Sequence, residues 1–292
     1  MTTSDADLSG LRREIDAIDD RIHDLLMQRT EIVEQIGVQK QQAGTARVGV
    51  RPGREAEIIR RLLKRHKGAF PRPVIVRLWR ELLSAQVRVQ GQFALAVCTP
   101  KDATWYRDLA SDHFGAYTPM SLHESPSQVL KAVSDGLATV GVLPIPDGEN
   151  DDPWWRNLMS AAEGVPKIVA RLPFAEMGIG EGRHAFVVAP VAPESTQDDV
   201  TLLAFETTGS TSRGRLKELF EGADLDATWI AATKMGGGSE GWQHLVSVPE
   251  FIREDDLRLD SVLRAAVDRI TRIIPIGVYA KPLSKEDIGL AD

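Results

Sequence analysis

The sequence predicts a multidomain chain: an all-α unit of three helices over residues 1–91, an α/β unit over 92–198 and an α+β unit over 199–292. Three observations carry this expectation. Apolar residues at alternating three- and four-residue steps run from Leu8 to Ile36, the mark of one long helix. After Gly91 short apolar strands alternate with helical stretches. The charge changes at the same place. Residues 1–92 hold 17 Lys and Arg against 12 Asp and Glu, a net of +5, so the total of −7 leaves −12 for the remainder.

The basic third is where an anionic ligand is expected, while the acidic total argues against a nucleic-acid partner. A chain that is 42% hydrophobic and 26% charged is an ordinary globular protein with enough length to bury a core. The lone Cys98 leaves no internal disulfide and no thiolate metal cluster. No apolar run approaches the ~18 residues of a membrane span. Met1–Gly10 is polar and acidic, unlike a signal peptide, so the expected location is cytoplasmic, away from membranes.

The first helix is set by Leu8, Leu11, Ile15, Ile18, Ile22, Leu25, Ile32 and Ile36, with Ser4 or Asp5 as its cap and Gly44 near its end. About 35 residues make a helix of about 50 Å, which needs a second helix or protomer along its seam. Thr45–Gly53 reads as a loop, a second helix runs from Arg54 to about Lys67, and a third from about Val74 to Val89 shows Val76, Leu78, Leu82, Leu83 and Val87 on its apolar face. In the α/β unit the strands are Phe93–Cys98, Ala138–Ile145, Lys167–Leu172 and Ala185–Ala189, with helices near Thr104–Phe114 and Ser127–Gly136. Asp147–Pro153 is an acidic loop, and Trp154–Trp155 after it could line a groove or, more commonly, anchor a core. The last unit reads as strands at 201–206, 226–232, 243–251 and 273–280 with helices near Thr211–Phe220 and Ser261–Ile270, the ferredoxin-like order.

Where the heptad series requires an apolar residue, between Leu25 and Ile32, the chain has Arg29. A guanidinium in a buried stripe costs several kcal/mol unless paired. Two readings stand: an interhelical salt bridge with Glu14 or Asp24, or a ligand carboxylate held bidentately. Lys40 favours the second. It lies 11 residues further on, within about 20° of the same face and some 16 Å along the axis, so a small anion fits between the two tips. Arg12 lies 17 residues before Arg29, about 26 Å away and roughly 100° around. It can join such a site only from an antiparallel second protomer. Arg54 and Glu55 open the second helix, where an acid is favoured by the dipole. Gln86 and Gln90, four apart on the third, read by default as solvated surface.

Together LRREIDAIDDRIHDLLMQR (11–29), the spacing to Lys40, the Arg54–Glu55 pair and the position of Gln90 resemble the all-helical class of chorismate mutases, over almost all of residues 8–91. The resemblance implies an intertwined homodimer that isomerises chorismate to prephenate, with no cofactor and no metal. It implies carboxylate binding by Arg12 of the partner subunit, Arg29 and Lys40, with Lys40 and Gln90 donating to the ether oxygen. Glu55 would hold the ring hydroxyl and Arg54 would support the site. Two positions depart from the pattern: Arg51 stands where the family often has aspartate, and Gln86 where it has serine.

Residues 93–190 resemble one lobe of the prephenate dehydratases, through SPSQVLKAVSDGLATVGVLPI (125–145) and RHAFVVAP (183–190), and the final segment resembles the regulatory ACT domain. The stretch is about half as long as two lobes need. The Thr-Arg-Phe motif of that family falls on His184, Ala185 and Phe186, which keeps only the phenylalanine. His113, His123 and His184 are unclustered, and the ACT-like effector turn is reduced to SRGRL (212–216), with ATKM (232–235) at a second motif. The leading expectation is a chorismate mutase with a degenerate dehydratase–ACT region of structural or regulatory use. The alternatives are a bifunctional mutase–dehydratase, a non-catalytic regulator of a partner enzyme, and a pyruvate lyase acting on isochorismate.

Overall fold

The computed structural model describes residues 3–42, 50–101, 103–146, 152–160, 162, 164–177, 182–209, 211–236, 240–267 and 269–290. The chain divides into two compact units, residues 1–49 with 85–92, and residues 50–84 with 93–292. The division falls inside the third helix, so that helix serves both.

The first unit is built on α1 (Thr3–Gln42), 40 residues or about 60 Å of helix. It is longer than the periodicity alone suggested and already helical at Ser4 and Asp5, and the proposed stop at Gly44 lies outside the described residues. The eight seam residues from Leu8 to Ile36 are 43–62% exposed and form an apolar stripe left open among the described residues. A second stripe on α1, through Leu26, Arg29, Thr30, Val33, Gly37 and Lys40, is half-buried or buried. Its spacing of three and four residues is that of one helix face. At Gly37 an added Cβ would meet the Cγ of Gln90 at 3.6 Å, so α1 and the last turns of the third helix lie close there.

In the second unit α2 (Pro52–Arg65) begins two residues earlier than expected, because Pro52 is well placed in a first helical turn. Arg51, just before it, donates to both oxygens of Glu194, at 2.8 Å from Nη2. The third helix, α3, spans Arg72–Gln90. Of its expected apolar face Val76, Leu83 and Val87 are buried, whereas Leu78 is half-exposed. Ala56, Ile59 and Leu63 of α2 and Ile75, Val76 and Leu83 of α3 pack with Phe174, Ala175, Ala280, Leu283 and Ile288 of the C-terminal region in one apolar cluster.

The remaining elements are β1 (Leu95–Cys98), α4 (Trp105–Phe114), β2 (Met120–His123), α5 (Pro126–Ser134), β3 (Val140–Pro144), a 3-10 turn at Trp154–Met159, β4 (Lys167–Leu172), β5 (Ala185–Ala189), β6 (Asp199–Thr207), α6 (Arg213–Glu221), β7 (Thr228–Lys234), β8 (Trp242–Val248), α7 (Leu257–Ala266) and β9 (Ile270–Ala280). Among the described residues nine strands join one sheet in the order β2-β1-β3-β5-β4-β9-β6-β8-β7. The β9-β6-β8-β7 half has the ferredoxin-like order. The halves meet at a single parallel pairing, Ile168 with Gly277, where a Cβ on residue 277 would lie 2.4 Å from Ile168. Only glycine allows so close an approach.

The helix expected at Ser261–Ile270 begins four residues earlier, because the Asp256 carboxylate caps it by accepting from the Arg258 backbone N–H. Trp154 and Trp155 are core residues, 2% and 1% exposed, packed with Leu158, Leu202, Ala204 and Leu245 beneath the sheet. Trp154 Nε1 donates to the Pro144 carbonyl at 3.1 Å. Among the described residues no helix is long and apolar enough to cross a membrane.

Candidate active site

In the first unit three of the expected residues come together with Thr30. Lys40 Nζ donates to Gln90 Oε1 at 3.3 Å, and Gln90 Nε2 donates to the Gln86 carbonyl at 3.4 Å. Gln86 Nε2 donates to Thr30 Oγ1 at 2.8 Å, and Thr30 in turn donates to the Leu26 carbonyl at 2.9 Å. Helical spacing produces this run: Thr30 and Lys40 share the inner stripe of α1, and Gln86 and Gln90 are four apart on α3. Gln86 is buried and Gln90 half-buried, which corrects the surface reading of both. Thr30 is a site residue the sequence reading missed; its only signal was its place one residue after Arg29.

Arg29 makes no ion pair with Glu14 or Asp24 among the described residues; Asp24 lies instead 3.8 Å from His23. Its Nη1 is buried without a hydrogen-bond partner, and desolvation lowers the guanidinium pKa from its ordinary value. Gln86 Oε1 is likewise buried and unpartnered. Buried polar atoms in folded proteins are almost always satisfied. An unsatisfied guanidinium N–H in the same unit as a lysine and two glutamines is therefore suited to an anionic ligand with further acceptor oxygens. Arg12 is exposed on α1.

In the second unit Glu55 is held by a residue the sequence reading passed over. Arg80 Nη1 lies 3.0 Å from Glu55 Oε2, with side chains 4% and 14% exposed. Burial raises the Glu55 pKa, and the Arg80 charge opposes that rise. Burial lowers the Arg80 pKa to about 10, against the pull of Glu55. The two shifts agree in cause: desolvation exceeds the attraction in each. Arg54 pairs with Glu57 at 3.0 Å on the surface.

The dehydratase-like motif positions are mostly interior. Phe186 is 1% exposed and packs near Tyr279, with ring centres 5.9 Å apart. His184 is half-buried; burial and then Arg171 lower its pKa. His113 is buried on α4, and burial and then Arg80 push its pKa well down.

Three helices in sequence, with donors clustered on two of them, followed by a sheet-bearing region, are the element order expected of a chorismate mutase domain joined to a dehydratase-like one. Residues 11–91 match the family described as "Chorismate mutase type II". Among curated proteins the chain is similar to "Bifunctional chorismate mutase/prephenate dehydratase" of Aquifex aeolicus (strain VF5), 34% identical over 146 residues, which is 48% of this chain and 39% of that protein. It is also similar to the protein of the same description from Pseudomonas aeruginosa, 28% identical over 47% of this chain and 38% of that one. The chain thus spans about two fifths of the length of these relatives. Among solved structures it is similar to prephenate dehydratase from Streptococcus mutans, with TM-score 0.46, 14% identity and coverage of 64% of this chain and 97% of that one. A second is described as "GqqA- a novel type of quorum quenching acylases", with TM-score 0.44, 19% identity and coverage of 67% and 98%.

Proposed function

We propose that this chain is a cytoplasmic chorismate mutase that works as a homodimer through α1, with Arg12 given to the site of the partner subunit. The observation that carries the reading is the run of Lys40, Gln90 and Gln86 in the same unit as the unpartnered guanidinium N–H of Arg29. The match of residues 11–91 supports it, and so does the uncovered apolar seam of α1, which a second copy would bury.

The reaction requires no nucleophile. In chorismate the ether C–O bond breaks as a C–C bond forms within one molecule, so atoms and electrons balance without a co-reactant. The protein must hold the compact conformer and stabilise negative charge developing on the ether oxygen. In this reading Arg29 and the partner subunit's Arg12 hold the two carboxylates, while Lys40 and Gln90 donate to the ether oxygen. Glu55 accepts from the ring hydroxyl, and Arg54 supports the site. Donors preorganised at such an oxygen are worth about 3–4 kcal/mol each in comparable sites.

The C-terminal region is read as a degenerate dehydratase–ACT module. His184 and Ala185, standing where that motif has threonine and arginine, support this. A second reading, a bifunctional mutase–dehydratase, is favoured by the description of the curated relatives. One assay separates the two. Purified full-length protein is given chorismate and the products are resolved by chromatography. Accumulating prephenate supports the leading reading, phenylpyruvate the second, and unchanged chorismate defeats both. Lys40→Ala should lose several hundred-fold in kcat while remaining folded by circular dichroism.

A further inference from the structure

We propose that Arg80 is a positioning residue for Glu55, and that the appended α/β region supplies the clamp that holds Arg80. This inference rests on the chorismate mutase reading above. Arg80 stands between two partners. On one side Nη1 bonds Glu55 Oε2 at 3.0 Å. On the other the guanidinium carbon lies 4.7 Å from the centre of the Phe174 ring, within cation–π range.

Phe174 is not part of the three helices. It follows β4, and its carbonyl accepts from the Leu283 N–H at 2.7 Å, while the Leu283 carbonyl accepts from the Glu176 N–H at 3.3 Å. The C-terminal tail therefore fixes the backbone that carries the ring. The ring itself sits in the apolar cluster with Ala56 and Ile59 of α2 and with Val76 and Leu83 of α3. The helices that carry Glu55 and Arg80 thus share a core with the appended region, and the ring closes over the cation.

The charged groups around the pair come from every neighbouring element. Arg77 of α3 and Asp112 of α4 are 3.6 Å apart and line a cavity of about 80 Å³ with Arg80, His113 and Phe174. Burial, and then the nearby Arg80, hold the His113 pKa well below its ordinary value. Arg60 of α2 lies 6.0 Å from the Phe174 ring. Arg80 is the one of these paired directly with Glu55. An ion pair this far from water is costly to break from one side, because the remaining charge stays buried. Burial already raises the Glu55 pKa, and Arg80 offsets part of that rise. Without the arginine the carboxylate forms only at higher pH.

The test measures kcat, KM and the pH profile of kcat/KM on the full chain with chorismate, for wild type, Arg80→Met, Arg80→Lys and Phe174→Leu. Arg80→Met should lower kcat/KM about 10- to 100-fold and move the acidic limb to higher pH. Arg80→Lys keeps the charge and should hold the limb near its wild-type position while recovering part of the rate. Phe174→Leu keeps an apolar side chain in the cluster; it should cost roughly 3- to 10-fold and move the limb the same way by less. A purely structural Arg80 would instead lower kcat at constant KM with the limb unmoved, and that result overturns the proposal. Wild-type kinetics in Phe174→Leu overturn the role of the appended region. If Arg80→Met does not fold, the lysine and leucine variants still decide. A wild-type chain that leaves chorismate unchanged defeats the mutase reading itself, a failure distinct from an active wild type whose variants keep its pH profile.

Discussion

If Arg12 serves the site of the other protomer, two inactive variants should repair one another. On the single helix α1, Arg12 and Lys40 are 28 residues apart, about 42 Å, far beyond the reach of one small ligand. Antiparallel pairing that brings Arg12 beside positions 29–40 of the partner sets the crossing at about residues 20–26. Ile22 and Leu25, 51% and 62% exposed, lie there. Arg12→Ala and Lys40→Ala homodimers should each lose several hundred-fold in kcat, because each lacks one preorganised cation at every site. Mixing equal amounts under conditions that let subunits exchange makes about half the dimers mixed, by random pairing of a two-fold assembly. Each mixed dimer regains one intact site of two, so the mixture should recover about one quarter of wild-type activity. Prephenate formation is followed before and after exchange, with sedimentation velocity confirming dimers throughout. A mixture no more active than the average of its components refutes donation in trans. Full activity in Arg12→Ala alone removes Arg12 from the site.

Further outcomes follow from individual contacts. Gly277→Ala puts a methyl 2.4 Å from Ile168 and should cost about 1–3 kcal/mol, read as a lower urea midpoint; an unchanged midpoint argues against the single continuous sheet. Burial lowers the pKa of His113 well below 6.5 and that of His244 to about 4, so the unfolded chain binds their protons where the folded chain does not. Stability should be full above about pH 6.5 and fall by about 1.4 kcal/mol per pH unit below it for each such histidine, the His244 part levelling off near pH 4. His113→Gln should make that slope shallower between pH 6 and pH 5 in urea titrations; a slope as steep as wild type counts against a lowered His113 pKa. Arg51→Ala breaks an exposed pair with Glu194 and should change stability by less than about 1 kcal/mol, with KM for chorismate held within about twofold.

Much of this fold is legible because its signals are local. The seam of α1 appears as eight apolar residues in register, and β4 and β5 fall where their apolar runs end. Strand β2 is invisible in that way: Met120–His123 lies at a sheet edge and none of its residues is fully buried, so it carries no apolar run. The joining of two sheets into one is also silent in sequence. It depends on β4 meeting β9 at one residue, and the only trace is a glycine in the middle of an apolar strand. The helix expected from Ser261 in fact starts at Leu257, and the Ser261 hydroxyl bonds the Leu257 carbonyl inside it.

The site is divided between what periodicity reveals and what it conceals. Arg29 stands out because it interrupts a run of eight apolar seam positions. Arg80 interrupts a seam by the same rule: Val76, Leu83 and Val87 are buried at heptad spacing, and the position between the first two is a 3% exposed arginine. The signal is weaker there only because three flanking residues define the stripe instead of eight, and half-exposed Leu78 offers a rival apolar face. A cation in either seam must find a counter-charge or a ligand to offset its desolvation. Arg80 has both Glu55 and an aromatic ring supplied from beyond the helices, although its Nε is buried without a hydrogen-bond partner; Arg29, whose Nη1 is likewise unpartnered, has no ion pair among the described residues. The same sequence feature therefore marks two different environments. In Arg80 the charge is balanced by a carboxylate; in Arg29 no carboxylate balances it among the described residues.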